Sequence, residues 1–201
     1  MKVLFISYYF PPINSAATPR TNSFYNILPE NDITPIILTC DIKKDTSLTH
    51  NIYRADTHLT WNRKPNKKFL SRLYEKFILP SSDETWVKAG IKEANTIFKT
   101  HKVDYIYASF PPIAAFKLGY LLSKKYNIPL ILEFRDGLNF EPLIQSHFAH
   151  NLLFKFYEYK YCKHAKAIIS IGSQLTNYFK KNYPKKKHEI VFNGFESKDI
   201  P

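Results

Sequence analysis

The sequence predicts an α/β domain whose parallel sheet is doubly wound, with helices on both faces. Three observations carry that prediction. Strand-like runs of nearly continuous apolar residues alternate with longer helical stretches along the chain, the pattern of strands buried on both faces and joined by helical crossovers. The first run, Val3-Leu4-Phe5-Ile6, carries no polar break and opens into a loop that leads onto a helix. A length of 201 residues without internal repeats suits one such domain with a full core, and right-handed crossovers make the winding double.

The loop after the first strand holds Tyr8-Tyr9-Phe10-Pro11-Pro12 and ends in Asn14-Ser15-Ala16-Ala17. Thr18 followed by Pro19 reads as an N-cap with proline at the first helical position, so the helix expected over Pro19–Leu28 points free N–H groups and a positive dipole end at whatever binds above the strand. Anions are the natural ligands there. Asn31-Asp32 turns the chain into a second strand at Ile36–Thr39, with Pro35 at its start, where a missing donor does not break the ladder. Asn51–Arg54 is expected as a short strand at the sheet edge.

From Asn62 to Leu79 the chain becomes basic and amphipathic. Phe69, Leu70, Leu73 and Phe77 share one helical face, while Lys68, Arg72 and Lys76 recur on another. Two readings stand: a helix resting on a membrane surface, and an ordinary helix packed on the sheet with its lysines in water. Pro80-Ser81-Ser82-Asp83 ends that element and caps a helix over Glu84–His101. Strand Val103–Ser109 feeds Phe110-Pro111-Pro112 and a helix to Tyr126, and strand Pro129–Phe134 delivers Arg135-Asp136-Gly137. A helix over Phe148–His164, strand Ala167–Ile171, a helix opened by Ser173 and a last strand at Glu189–Phe192 complete the alternation.

Composition narrows the function classes. A formal net charge of +12 signals attraction to polyanions: nucleic acid, an anionic membrane surface or phosphorylated substrates. No RNA-recognition motif, helix-turn-helix signature or zinc framework accompanies it, which argues against a specific nucleic-acid partner. Cys40 and Cys162 are too far apart in sequence for a zinc spacing, so no metal is expected, and a reduced cytoplasmic compartment is. The first run is too short for a signal peptide, and nothing approaches the roughly 20 apolar residues of a membrane span, so any membrane contact is expected to be peripheral. The first loop contains no glycine, so dinucleotide binding in the usual Rossmann manner is not expected, and no cofactor is called for.

Several separated pieces share one likeness. They are Val3-Leu4-Phe5-Ile6-Ser7 with Tyr9-Phe10-Pro11-Pro12; Ile36-Ile37-Leu38-Thr39; Pro80 through Trp86-Val87; Asp104-Tyr105-Ile106-Tyr107-Ala108-Ser109-Phe110-Pro111-Pro112; Ile128-Pro129-Leu130-Ile131-Leu132-Glu133-Phe134-Arg135-Asp136; Ala165-Lys166-Ala167-Ile168-Ile169-Ser170; and Val191-Phe192-Asn193-Gly194. In that order and spacing the chain resembles the N-terminal, acceptor-side domain of GT-B-fold retaining glycosyltransferases of the family-4 type, which build bacterial surface polysaccharides and glycolipids. The resemblance implies a Rossmann-like domain over 1–201, with 193–201 the start of a linker to a C-terminal, donor-binding domain that has no counterpart here. It implies a nucleotide-sugar as donor substrate, a glycan or lipid-linked acceptor, such as a lipopolysaccharide or capsule precursor, and a chain inactive by itself. A noncatalytic acceptor and membrane-anchoring subunit, partnering a separate donor-binding chain, is the alternative. Either would be cytoplasmic or peripheral on the inner face of the plasma membrane.

Three loops are expected to converge at the carboxyl ends of adjacent strands: Tyr9–Ala17, Ser109–Pro112 and Glu133–Asn139. Relatives carry Gly-Gly or Gly-Ala where this chain has Asn14-Ser15-Ala16, so these residues, with Arg20, are assigned to the donor phosphate, provided none of them must adopt positive φ. Asp136 is expected to orient or accept a hydrogen bond from the acceptor hydroxyl, and Arg135 to bind a phosphate or fix the loop. Tyr9, Phe10, Phe110, Pro111 and Glu133 are the acceptor-side candidates. Strand alternation puts Glu133 and Arg135 on one face, where a local ion pair between them is the competing reading, and core packing is the competing reading for Tyr9 and Phe10. Lys68, Arg72 and Lys76 are the membrane-surface candidates.

Overall fold

The computed structural model describes residues 1–41, 50–56, 81–138 and 148–194. The basic stretch 62–79 with Lys68, Arg72 and Lys76, the proline at 80, the end of the third loop at Asn139 and the segment beyond Gly194 lie outside the described residues. In chain order the elements are β1 (Lys2–Ile6), α1 (Thr18–Ile27) with a 3-10 turn at Leu28–Asn31, β2 (Thr34–Asp41), β3 (Ile52–Asp56), α2 (Ser81–Thr100), β4 (Tyr105–Phe110), α3 (Ile113–Tyr126), β5 (Leu130–Phe134), α4 (Phe148–His164), β6 (Ala167–Ser170), α5 (Ser173–Asn182) and β7 (Lys187–Ile190).

The strands form one seven-stranded sheet in the order β3-β2-β1-β4-β5-β6-β7, and every pairing is parallel. This is the doubly wound arrangement expected from the apolar runs. The order reverses between β1 and β4, so the crevice of the fold opens at the carboxyl ends of those two strands. β3 is an edge strand, as expected, and runs over Ile52–Asp56 instead of Asn51–Arg54. Pro35 stands second in β2, opposite Val3, close enough to the strand start for its missing donor to be tolerated.

Alternation along each strand divides the core in two. Leu4, Ile6, Leu38, Ile106, Leu132 and Phe134 meet Trp86 of α2, Phe116 and Leu118 of α3, Tyr161 of α4 and Phe179 of α5 on one face. Val3, Phe5, Ile37 and Tyr107 meet Phe10, with Phe24 and Tyr25 of α1 packed beside them, on the other. Gly119 lets α3 approach the first face closely: a Cβ there would stand 3.0 Å from the Cβ of Ala108 and 3.1 Å from Cδ1 of Leu130. Among the described residues no helix is long and apolar enough to cross a membrane.

Most element boundaries differ from expectation by a residue or two, and three differences concern helix starts and the last strand. The residue before α1 is Ala17, with no side-chain cap, because the Thr18 hydroxyl, already inside the helix, donates to the Ile13 carbonyl at 2.7 Å. α2 begins at Ser81 instead of Glu84. β7 runs over Lys187–Ile190 instead of Glu189–Phe192; as an edge strand with a largely exposed surface it needs no apolar run, and the apolar Val191-Phe192 falls just past the ladder.

Candidate functional site

The three expected loops do meet at the switch point. The first is held by its own backbone and hydroxyls. Ile13 N donates to Phe10 O at 3.0 Å and Thr18 N to Ser15 O at 2.9 Å, the Ser15 hydroxyl accepts from Ala17 N at 3.2 Å, and Ser7 shares a 2.9 Å hydroxyl contact with Thr21 of α1. Arg54 on β3 donates to Pro11 O at 2.8 Å. Positive φ among the described non-glycine residues occurs at Asp32, Asn51 and Asn127, so Asn14, Ser15 and Ala16 sit in ordinary backbone, and side chains in place of glycine impose no strain.

Two arginines join the loops. The guanidinium of Arg135 donates from Nε to Phe110 O and from Nη1 to Ala17 O, each at 3.2 Å, linking the third loop to the second and the first. Burial lowers the Arg135 pKa from its ordinary value, with Glu133 and then Asp136 acting in the opposite direction. Asp136 itself is exposed.

The second arginine is Arg20, one turn into α1, and its partner is the carboxylate at the end of β5. Glu133 is 1% exposed. It accepts from Arg20 Nε at 2.6 Å, from the Tyr107 hydroxyl at 2.6 Å and from the Ser109 hydroxyl at 2.6 Å. A carboxylate this deep is tolerable only when paired and hydrogen-bonded on both oxygens. Burial first, and then the Glu133 charge, push the Tyr107 pKa well above its ordinary value of 10.0, so the phenol stays a donor.

Arg20 reaches further. Its Nη1 donates to Phe192 O at 2.9 Å and Asn193 Oδ1 at 3.2 Å, and its Nη2 to Val191 O at 2.9 Å. One guanidinium thus ties α1, the end of β5 and the segment after β7 together, and its carbon lies 5.2 Å from the Phe24 ring centroid. The ion pair expected locally between Glu133 and Arg135 is replaced by this long-range one. The two residues share a face, but Arg135 lies beyond the strand end and reaches the carbonyls of the other loops.

The remaining candidates fall into two groups. Asn14, Ala16 and Asp136 are exposed, and Tyr9, Ser15, Phe110, Pro111 and Arg135 are half-buried at the crevice. Phe10, at 2% exposed, packs edge-on to Tyr25 at 5.8 Å in the core. Phe10 and Glu133 are therefore enclosed by protein, and Arg20 directs its donors to protein acceptors. Sequence reading missed Tyr107 and Ser109 as partners of Glu133 and the 191–193 segment as partner of Arg20. The first was readable: Tyr107 and Ser109 alternate onto one face of β4, and Ser109 stands in register with Glu133. The second carried no local signal.

No family model and no curated protein matches this sequence. Solved structures do match. Sucrose-phosphate synthase from Thermosynechococcus elongatus aligns with a TM-score of 0.66 at 10% identity, over 98% of this chain and 49% of that one. The chain has a GT-B domain fold. Apo UGT2 of Phytolacca americana gives a TM-score of 0.61 at 12% identity, over 98% of this chain and 53% of that one. A UGT transferase from Siraitia grosvenorii in complex with UDP gives 0.57 at 9% identity, over 96% and 51%. The chain spans about half the length of these three structures. At such identities the likeness is one of the GT-B fold.

An exposed carboxylate next to a backbone-anchored guanidinium, at the mouth of this crevice, can accept a hydrogen bond from a hydroxyl and present positive charge to an anion.

Proposed function

We propose that this chain is the acceptor-side domain of a retaining, family-4-type glycosyltransferase. It passes a sugar from a nucleotide-sugar to a lipid-linked or polysaccharide acceptor in surface glycan synthesis. The observation that carries the reading is the junction at the switch point, where Arg135 fixes three loops to one another and leaves Asp136 exposed beside them. A fold shared with glycosyltransferases over nearly the whole chain supports the reaction class. Complexes of that fold with UDP, and with UDP-2-fluoro-glucose and pterostilbene, support a nucleotide-sugar as donor.

In this reading Asp136 orients the acceptor hydroxyl and Arg135 keeps the loop in place while meeting phosphate charge. Tyr9, Phe110 and Pro111 form the acceptor wall, and Asn14, Ser15 and Ala16 offer backbone N–H groups to the donor phosphate. Phe10 and Glu133 support that wall from inside, and Arg20 is a positioning residue. Donor binding belongs to a second domain, and the chain by itself is inactive. Lys68, Arg72 and Lys76 add attraction to an anionic membrane surface from the cytoplasmic side.

Ligand-induced thermal stabilisation tests the assignment. The isolated chain is expected to gain stability with a lipid-pyrophosphate-linked glycan and to gain none with UDP-sugars at the same concentration. Stabilisation by a UDP-sugar alone would overturn the acceptor-side reading.

A further inference from the structure

A groove lies at the opposite end of the sheet from the crevice, where β5 and β6 begin. Its volume is about 530 Å³, within the range of about 300–1,000 Å³ that small molecules occupy. Its cationic side chains come from three places: Lys124 at the end of α3, His164 and Lys166 around the end of α4, and Lys186 in the turn between α5 and β7. Among the described residues no acidic side chain lines it. Ile128, Pro129 and Ala165 add apolar surface.

The fold itself accounts for only part of this charge. The carbonyl groups at a helix C-terminus attract a cation, and Lys186 meets that demand at α4, donating to Lys163 O at 2.6 Å and Ala165 O at 2.7 Å. An ammonium has three protons, so one remains to be given. The ammonium groups of Lys124 and Lys166 make no hydrogen bond or ion pair with the described residues; that of Lys124 lies 5.7 Å from the Tyr120 ring centroid. Ser123 donates its single proton to Ile128 O at 2.6 Å, so in its 2.8 Å contact with His164 Nε2 the imidazole is the donor. Neutral His164 therefore holds its proton on Nε2 and takes a second one on Nδ1, which adds a fourth cation without disturbing Ser123. Burial first, and then Lys124 and Lys186, lower the His164 pKa, and the Tyr120 ring packs edge-on to the imidazole at 4.9 Å. An anion seated among the lysines offsets their part of that effect.

We propose that this groove binds a small, soluble phosphomonoester. Such a group brings close to two negative charges and three acceptor oxygens on one phosphorus, which matches convergent ammonium groups and an imidazole. A carboxylate brings one charge and leaves most of the cations unanswered. The apolar surface suits the carbon part of the ester. Sugar nucleotides carry their phosphates as diesters with one charge on each, a poorer match. β5 starts at the groove with Leu130 and carries Glu133 at the crevice, so both ends of the sheet can be occupied at once. The inference goes beyond the preceding reading and requires neither donor nor acceptor.

NMR titration of the 201-residue chain tests it, followed at His164 Cε1–H and at the Ala165 and Lys166 amides. The probes are inorganic phosphate and glycerol 3-phosphate, with chloride at equal ionic strength as control. Both phosphates are expected to give saturable shifts that chloride does not. At saturation the titration of His164 should move to higher pH, because a bound dianion favours the imidazolium. Sulfate, which keeps its two charges over the range in which histidine titrates, should bind more tightly at the acid end, and His164→Gln should remove that dependence. Lys124→Gln and Lys166→Gln should each weaken phosphate binding about fivefold. Both lysines are exposed, so the urea midpoints of the single and double variants should equal that of the parent, which separates loss of the site from loss of fold. The absence of a saturable shift, a shift that chloride reproduces, or parent-like binding by the double variant overturns the proposal. Displacement of phosphate by a single-stranded oligonucleotide or by phosphatidylglycerol vesicles at lower phosphate-group concentration than glycerol 3-phosphate requires overturns it too. The acceptor-stabilisation test is read in the double variant as well; a gain that persists there arises outside this groove, so neither result decides the other.

Discussion

Among the described residues two carboxylates are buried to nearly the same depth, Glu133 at 1% and Glu158 at 3% exposed, and they sit in different structural settings. Glu158 is a helix residue that accepts from two phenols of the α5 region, at 2.8 Å from Tyr178 and 3.1 Å from Tyr183, and so stitches α4 to α5. Glu133 ends a central strand at the crevice. It accepts from a guanidinium as well as a phenol and a serine hydroxyl, and that guanidinium continues to the segment after β7. Burial of a carboxylate alone therefore does not mark a site. What distinguishes Glu133 is its place at the carboxyl ends of the strands and a partner whose other donors reach a different part of the chain.

The largest effect that sharpens this contrast is the loss of Glu133. Glu133→Ala leaves the Arg20 guanidinium without its carboxylate and two buried hydroxyls without an acceptor, and should destabilise the fold by about 3–5 kcal/mol. Glu158→Ala withdraws an acceptor from two phenols and should cost about 2 kcal/mol. Urea unfolding of the two variants checks the order; equal or inverted losses would remove the distinction drawn between the two carboxylates.

Alkaline titration separates the same regions more finely. Tyr107, Tyr178 and Tyr183 all have pKa values raised by burial first, with Glu133 contributing for Tyr107 and Glu158 for the other two. A phenol whose folded pKa lies above its unfolded value of 10.0 binds a proton more tightly in the native state. Its contribution is complete below pH 10 and declines as pH rises from there toward the folded value. Stability should thus fall from about pH 10 upward, with phenolate absorbance appearing together with loss of circular dichroism. Tyr107→Phe should cost about 1–2 kcal/mol at neutral pH and make the alkaline decline shallower. An unchanged decline would detach Tyr107 from the Glu133 cluster.

The smallest expected effect on folding belongs to the exposed member of the site. Asp136→Asn should change stability by no more than about 0.5 kcal/mol, since the side chain lies in water. In a full-length enzyme joined to its donor-binding half it should lower kcat for sugar transfer at least about tenfold. Wild-type transfer by that variant would remove Asp136 from the chemistry while leaving the fold untouched.

Which of these features the sequence discloses depends on how local their causes are. The sheet was legible because its central strands must be apolar on both faces, and Val3–Ile6, Ile36–Leu38 and Leu130–Leu132 say so directly. β7 was displaced by two residues because an edge strand such as Lys187–Ile190 escapes that requirement. The helix cap was misplaced because the Thr18 hydroxyl found a carbonyl five residues back, a choice made by the fold of the loop. The convergence of three loops followed from topology. The pairing of Arg20 with Glu133 did not, because 113 residues separate them and a nearer arginine, Arg135, stood on the same face.

That separation also gives the site a place in time. Arg20 leaves the ribosome long before its partners: Glu133 follows 113 residues later and Phe192 172 residues later. At translation rates of about 5–20 residues per second, the guanidinium waits roughly ten to thirty seconds for the carbonyl groups after β7. The first strand, the loop and α1 can therefore assemble early while the crevice stays unfinished. The last strand of the sheet, by arriving, completes the cluster begun by one of the first helical residues made.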